Sequence, residues 1–339
     1  MRLLKASKEL IGIDITSRSV KLLELKKRPD TYQVESFAVH PLPEGAVDEQ
    51  RINNINDVSN SLNRAIHQAR PTTRKAIVAL PSSVAITKML TLPLALNEQE
   101  IEEHIAVDSD QHIPFPFNEV AFDFTCLGAV PLAPHLQQVL LVACRQQDIW
   151  QMTETLDRAG LEPVAVDVDT FAIERVFAAM WASLPVDITA GVGLVDIGAH
   201  NSTLHVVHAG RIIYSRTGRV DGEPLTKAIQ SNAHDNLPDD FQDAILNPFV
   251  DTLAQGIARA LQLYYVSGWQ PKVTHLVLTG RFSAIPRLAA YLAKTTGMTV
   301  TLANPLQHMQ INKRLDRQAL ARDLPALLTA SGLAMRVGA

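Results

Sequence analysis

The sequence predicts an α/β chain made of two halves of similar design, and three observations carry that reading. Short Val-, Ile- and Leu-rich runs alternate with helix-patterned segments. One strand–turn–strand motif occurs twice, about half the chain apart. Between the copies, Pro185 and the stretch 183–190 read as a boundary. A chain of 339 residues carries a prior of about two domains.

Taken in order, the strand-type runs are "LIGIDI" (10–15), "VKLLELK" (20–26), "KAIVAL" (75–80), "QVLLVAC" (138–144) and "PVAVDV" (163–168). The second half adds "GLVDI" (193–197), "TLHVVHA" (203–209), "RIIYSR" (211–216) and "THLVLTG" (274–280). Short turns separate 10–15 from 20–26 and 203–209 from 211–216, so these pairs should be antiparallel hairpins. The other runs are separated by helical patterns and should be parallel crossovers. Helices are expected over 55–69, 97–113, 146–159, 170–183 and 247–265. Asn97 and Glu100 have capping-box spacing, and Asn247 reads as an N-cap followed by Pro248. The stripe Phe249, Leu253, Ile257, Leu261 and Tyr264 marks the buried face of the last helix. The stretch 232–247 is acidic and without period, and the C-terminal "LPALLTASGLAMRVGA" reads as a helix packed on the second half.

Hydrophobic residues make up 47% of the chain and charged ones 19%, which supports real cores and excludes a disordered chain. A formal net charge of −4 gives no electrostatic footprint for nucleic acid. Cys126 and Cys144 are too few for a framework or ligand cluster and read as small buried hydrophobes in a reducing compartment. No apolar run approaches the ~18–20 residues of a membrane helix. The start, with Arg2, Lys5 and Lys8, reads as a solvated tail rather than a signal peptide, so a cytoplasmic location is expected. The histidines are scattered, with His104, His112 and His135 read as surface residues. Trp150, Trp181 and Trp269 follow helical patterns and are expected in the core.

The repeated motif is "IGIDITSRSVKLLEL" (11–25) and "GLVDIGAHNSTLHVV" (193–207), with Asp14 and Asp196 lying 182 residues apart. Each copy is an apolar strand, Asp-Ile, a small polar turn and a second strand. Duplicated halves of this kind would enclose a cleft with both turns pointing inward. Such turns offer backbone N–H groups and hydroxyls to an anion. A carboxylate repels phosphate, so its natural task there is to hold Mg²⁺ or a water beside it. One wall would carry Asp14, Thr16, Ser17 and Ser19, the other Asp196, Gly198, Asn201, Ser202 and Thr203. Either turn alone also fits an ordinary hairpin, where Asp and Ser are common.

With both hairpins in view, the chain resembles the actin-like ATPase superfamily and, within it, the PilM family of type IV pilus assembly proteins. The stretches "QHIPFPFNEVAFDF" and "VDVDTFAIERVF" carry the narrower resemblance, and "GIDITSRSVKLLELKK" and "LVLTGRFSAIPRLAAYLAKTTGMTVTLANP" extend it towards both ends. The resemblance implies an actin-like, ribonuclease H-like duplicated fold: a first half over 1–190, a second over 191–339, and an FtsA-like small subdomain near 86–150. It implies ATP with Mg²⁺ in the cleft, Asp14 and Asp196 on the metal side, and Lys21, Ala199, Gly222, Gly280 and Arg281 joining the turn residues around the nucleotide. It also implies docking of the cytoplasmic N-terminal tail of PilN, indirect linkage to PilO and PilP, contact with the pilus motor ATPases, self-association, and recruitment to the inner membrane. Ile113, Pro114, Phe115, Pro116 and Phe117 form a stiff apolar stretch expected to line the groove for that tail, or else to pack as a fixed loop.

Three departures from the family pattern predict weakened nucleotide binding and at most a slow ATPase. Arg281 follows Gly280 where a second glycine is usual, Asp221-Gly222 replaces a glycine pair, and "KAIQSNAHDNLPDD" lacks the acid and lysine that border the base and ribose. Two other readings remain open at this level. A sugar- or acetate-kinase-like enzyme would need a general base, for which Asp167 and Asp169 are the candidates, although Asp169 also reads as a helix cap. An FtsA-like division protein would need an amphipathic membrane helix at its end, and the C-terminal segment lacks a basic-aromatic face.

Overall fold

The computed structural model describes residues 9–48, 50–181, 184, 190–226, 241–268 and 271–336. The N-terminal tail, the boundary stretch around Pro185, "KAIQSNAHDNLPDD" and Trp269 lie outside the described residues.

The chain opens as an antiparallel meander, β1 (Glu9–Ile15), β2 (Ser19–Lys27) and β3 (Tyr32–Pro41). A short pair, β4 (Val47–Asp48) and β5 (Arg51–Ile52), leads to α1 (Ile55–Ala69), whose Asn54 cap accepts from the Asp57 amide. β6 (Lys75–Leu80) then returns parallel to β1. β7 (Ile86–Pro93), α2 (Glu98–Val107), α3 (Ser109–His112), β8 (Val120–Val130) and β9 (Ala133–Arg145) leave the main body as a small unit. Its three strands run in the order β7-β9-β8, and Ile101 and Ile105 of α2 pack on Leu90, Leu92, Val139 and Leu141. α4 (Gln146–Arg158) leads back to β10 (Glu162–Val168), which pairs parallel with β6, and α5 (Asp169–Met180) follows.

The second half repeats the plan with β11 (Gly191–Ile197), β12 (Asn201–His208) and β13 (Arg211–Arg219), again antiparallel. α6 (Asn247–Val266) precedes β14 (Val273–Thr279), parallel to β11, then α7 (Leu288–Thr296) and β15 (Thr299–Leu302). β16 (Gln310–Ile311), α8 (Arg317–Asp323) and α9 (Leu328–Ala334) finish the described chain. The strand orders are β16-β3-β2-β1-β6-β10 and β13-β12-β11-β14-β15, so apart from β16, which adds to β3 in parallel, the two sheets share one order and the same senses. The repeat extends to atomic detail. Thr16 N donates to Ser19 O at 3.0 Å, and Gly198 N donates to Asn201 O at 2.9 Å.

Two helices lie between the sheets. α5 places Ile173, Val176 and Phe177 on Val192 and Leu194 of the second sheet. α9 places Ala330 and Ala334 on Leu23 and Leu25 of the first. The C-terminal helix touches the second-sheet core through Leu328, as expected, but also covers the apolar face of β2 and β3 of the first sheet, which the sequence expectation missed. Gly12 and Gly332 allow the approach: a Cβ at Gly12 would lie 2.0 Å from Ala330 O, and one at Gly332 1.8 Å from Ala172 O.

Several local expectations are also corrected. "QVLLVAC" belongs to β9, which is antiparallel to both its neighbours and not a crossover strand. Asn247 is not an N-cap, because a π-helical turn over Phe241–Leu246 runs straight into α6. Trp150 is 54% exposed, while Trp181 stacks on Phe177 at 5.8 Å between ring centroids. Cys126 is exposed, and only Cys144 is buried. The capping box of Asn97 and Glu100 is present as expected.

Candidate functional site

Parallel strands end together where the two halves face one another, the place at which α/β sheets hold ligands. β1 delivers Asp14 there, β10 and α5 deliver Asp169, β11 delivers Asp196, and Gly280 directly follows β14. Asp14 pairs with Lys21, directly across the hairpin, at 2.6 Å. Burial first raises the pKa of Asp196; Lys21 lowers it, and the charge of Asp14 raises it further. The two aspartates thus lie within reach of one another's charge. Gly280 has φ +88°, and a Cβ there would lie 2.2 Å from Asp196 Oδ1. Only glycine permits that approach.

Asp169 is the acid that sequence reasoning misplaced. It begins α5 but makes no cap of the N-cap type. Its Oδ1 accepts from the Ser82 amide at 3.0 Å and the Thr170 amide at 2.6 Å. Burial pushes its pKa up to about 6 against those hydrogen bonds, and Asp14 adds to the rise. Asp167, its neighbour in "VDVDTF", points the other way. It accepts from Arg175 and the Val168 amide and lies 3.5 Å from Arg336, so it ties α5 to the C-terminal segment and is not free to serve as a base.

The turn residues are partly committed to the turns themselves. Thr16 Oγ1 donates to Ser19 O at 3.0 Å and lies 3.3 Å from Ser19 Oγ. Thr203 Oγ1 is 2.9 Å from Thr217 Oγ1 on β13. The Thr16 and Gly198 amides close their turns, so they do not face an anion. Ala199 is buried, and its carbonyl accepts from Gly222 N at 2.8 Å. Gly222 is required by packing, since a Cβ would lie 2.5 Å from the Phe282 ring. Ser17 and Ser202 are half-buried at the turns, and Asn201 is exposed. Asp221 does not adopt positive φ; its Oδ1 instead accepts from Glu223 N at 3.1 Å.

Cations gather over the carboxylates. Arg18, from the first turn, donates through Nη2 to Glu223 and through Nε to His200 Nε2 at 3.2 Å. Partial desolvation lowers the pKa of the exposed Arg281, and the charge of Arg18 lowers it further. Lys21, Arg18 and Arg281 suit a polyphosphate, and the repulsion between Asp14 and Asp196 is the kind a divalent cation relieves. Among the described residues no group of three His, Cys, Asp or Glu closes on a metal. A cation here would therefore take phosphate and water oxygens as well.

A second feature lies on the small unit. Ile113 is buried, and the Arg145 guanidinium covers the Phe115 ring at 4.3 Å, so these two pack at the base of the unit. Pro114 and Pro116 are exposed and set up the turn at Phe117–Glu119. Of the five apolar candidates Phe117 alone opens onto a groove of about 940 Å³, with Glu98, Glu102, Glu103, Asp123 and Phe124 beside it. Phe117 and Phe122 are 5.5 Å apart between centroids. The i, i+4 spacing of Glu98 and Glu102, with Glu103 beside them, is the signal that marks this rim in the sequence. Arg18, His200 and Glu223 carry no such signal.

A family model described as type IV pilus assembly protein PilM matches residues 12–338. The solved PilM–PilN type IV pilus biogenesis complex is similar over 96% of this chain and 98% of the matched one, at 25% identity and a TM-score of 0.75. The ethanolamine utilization protein EutJ from Carboxydothermus hydrogenoformans shares the fold, with 12% identity over 97% of this chain and 90% of its own and a TM-score of 0.52. The actin-like architecture implied by the resemblance is thereby shown. No helix among the described residues is long and apolar enough to cross a membrane.

Proposed function

The chain belongs to the PilM family of type IV pilus assembly proteins, and from that premise we propose that it is a cytoplasmic adaptor that captures the N-terminal tail of a PilN-type inner-membrane protein. The observation that carries this reading is the near end-to-end likeness to a PilM–PilN complex. A tail that is apolar and carries basic residues suits the groove beside Phe117. Phe117, Phe122 and Phe124 offer aromatic anchors, and Glu98, Glu102, Glu103 and Asp123 offer a complementary rim. Holding that tail couples the chain to the membrane and, through PilN, to PilO and PilP. The opposite face is then free for the pilus motor ATPases or for self-association.

The cleft is proposed to take Mg-ATP weakly. Asp14 and Asp196 would hold Mg²⁺ through water, and the ion would neutralise phosphate charge. Lys21 holds the Asp14 carboxylate in place, while Arg281 reaches the anion from the second half. Turnover is at most slow, because Asp169 is engaged by two amides rather than aimed by a titratable partner.

Calorimetry with a synthetic N-terminal PilN peptide, with and without Mg-ATP, tests the reading. Binding in both conditions is expected, with Phe117→Ala weakening it about tenfold, or ~1.4 kcal/mol. Failure of the unaltered protein to bind the peptide would overturn the adaptor. Micromolar Mg-ATP affinity would overturn the weakened cleft.

A further inference from the structure

We propose that Arg18 is a latch across the cleft, holding the two halves together without a nucleotide, and that the Glu223 carboxylate occupies the place of the anion that Arg18 would otherwise bind. The latch stands on contacts between the halves and is independent of the adaptor reading. Its competition with a polyphosphate rests on the nucleotide reading of the cleft.

Arg18 stands at the apex of the first turn with only 20% of its side chain exposed. It reaches two groups of the second half, Glu223 and His200, and one of its own, Glu44 at 3.4 Å. The Glu44 side chain is 84% exposed and contributes little. The Glu223 side chain is 36% exposed and is supported from behind by its own amide on Asp221. Both ends are held in advance. Arg18 O accepts from Leu42 N at 2.9 Å, and His200 O accepts from Val220 N at 2.9 Å. Joining them therefore orders little additional chain.

The same geometry opposes a bound anion. Arg281 is close enough to feel the charge of Arg18, and a polyphosphate in the cleft would be drawn to both guanidiniums. It must first take Arg18 from Glu223, and the freed carboxylate then faces the incoming negative charge. One contact thus supplies closure in the empty protein and lowers affinity for the ligand.

The test measures the distance between spin labels on the two halves, at Asn60→Cys on α1 and Lys294→Cys on α7 in a Cys126→Ser background, without peptide or nucleotide. Arg18→Glu should shift the distribution to longer, broader distances, and the exchange variant Arg18→Glu with Glu223→Arg should restore it. Thermal melts confirm that each variant folds, and restoration by the exchange separates a latch from general damage. An unchanged distribution in Arg18→Glu, or no restoration in the exchange, overturns the latch. Calorimetry of Glu223→Gln with Mg-ATP should show affinity raised on the order of tenfold over the unaltered protein. Equal or lower affinity overturns the competition. Peptide binding is measured separately, so loss of the adaptor reading would leave these outcomes intact.

Discussion

Arg18 and His200 occupy the same position in the two copies of the hairpin, and their side chains meet, Nε to Nε2, at 3.2 Å. Their separation of 182 residues equals that of Asp14 and Asp196. Equivalent positions of a duplicated unit meet where its internal two-fold relation passes between the halves, as equivalent patches do in a symmetric dimer. The symmetry is broken where chemistry differs. Lys21 faces Asp14 in the first hairpin, whereas Thr203 faces Asp196 in the second. The first half thus carries its own cation, and the second leaves its carboxylate to burial.

The close approach at Gly280 predicts a graded pair of substitutions. Gly297→Ala meets open space at φ +69° and should cost only the backbone term, about 1–2 kcal/mol. Gly280→Ala adds a Cβ 2.2 Å from Asp196 Oδ1 at φ +88°, and should cost about 3 kcal/mol or more. Urea midpoints compared at constant slope measure the difference.

Two helical glycines should respond in opposite directions. Alanine is favoured over glycine in a helix by about 1 kcal/mol. Gly256 in α6 faces open space, so Gly256→Ala should stabilise by up to that amount. Gly332 in α9 has the same propensity term, but its Cβ would meet Ala172 O at 1.8 Å. Overlap with backbone wins there, and Gly332→Ala should lose about 2–3 kcal/mol net. Thermal melts of both variants decide the signs.

Glu24 is fully buried on β2 and belongs to no cleft. Its carboxylate accepts from the Thr72 amide at 2.9 Å, Thr72 Oγ1 at 2.5 Å, the Thr73 amide at 3.2 Å and Ser36 Oγ at 2.9 Å. Glu24→Leu would leave the buried Ser36 hydroxyl and the half-buried Thr73 amide without their acceptor, and should cost about 1–3 kcal/mol. Glu24→Gln keeps one acceptor and should cost less, a ranking that denaturant titration reads directly.

Stability should depend on pH through two buried groups of opposite sign. Burial lowers the pKa of His205 to about 4, so the unfolded chain binds this proton more readily. Its contribution is complete above about pH 6.5 and is lost as pH falls towards 4. Burial, above all, raises the Asp169 pKa to about 6, so the folded chain holds that proton more readily. Its contribution is complete below pH 3.8 and is lost as pH rises through about 6. His205→Gln, which can still reach Ser215, should flatten the acid-side loss. Asp169→Asn should steepen that loss between pH 4 and 6 and stabilise the protein above pH 6. Melting temperatures across pH 4–8 for the three proteins separate the terms.

The strands that sequence reading places well are those buried on both faces, such as "LIGIDI" and "GLVDI", where the apolar run is nearly continuous. β8 passes unnoticed because most of its residues are exposed, and its pattern follows neither a helix nor a half-buried strand. β7 keeps only Leu90 and Leu92 buried, too little signal to stand out. Of the cleft, Asp14 and Asp196 are legible through the repeat. Asp169 is hidden by the competing capping signature, because an Asp at a strand-to-helix junction looks the same whether it caps the helix or turns into a crevice.

The sequence by itself determined the doubled hairpin, the pairing of its strands and the presence of two carboxylates at matching positions. These follow from local periodicity and from turns spanning a few residues. Tertiary structure decided where α9 returns, which of Asp167 and Asp169 enters the crevice, and that Arg18 meets Glu223 and His200. Those outcomes depend on contacts between segments far apart in the chain, fixed only when the apolar faces of both sheets are covered and the halves close upon one another.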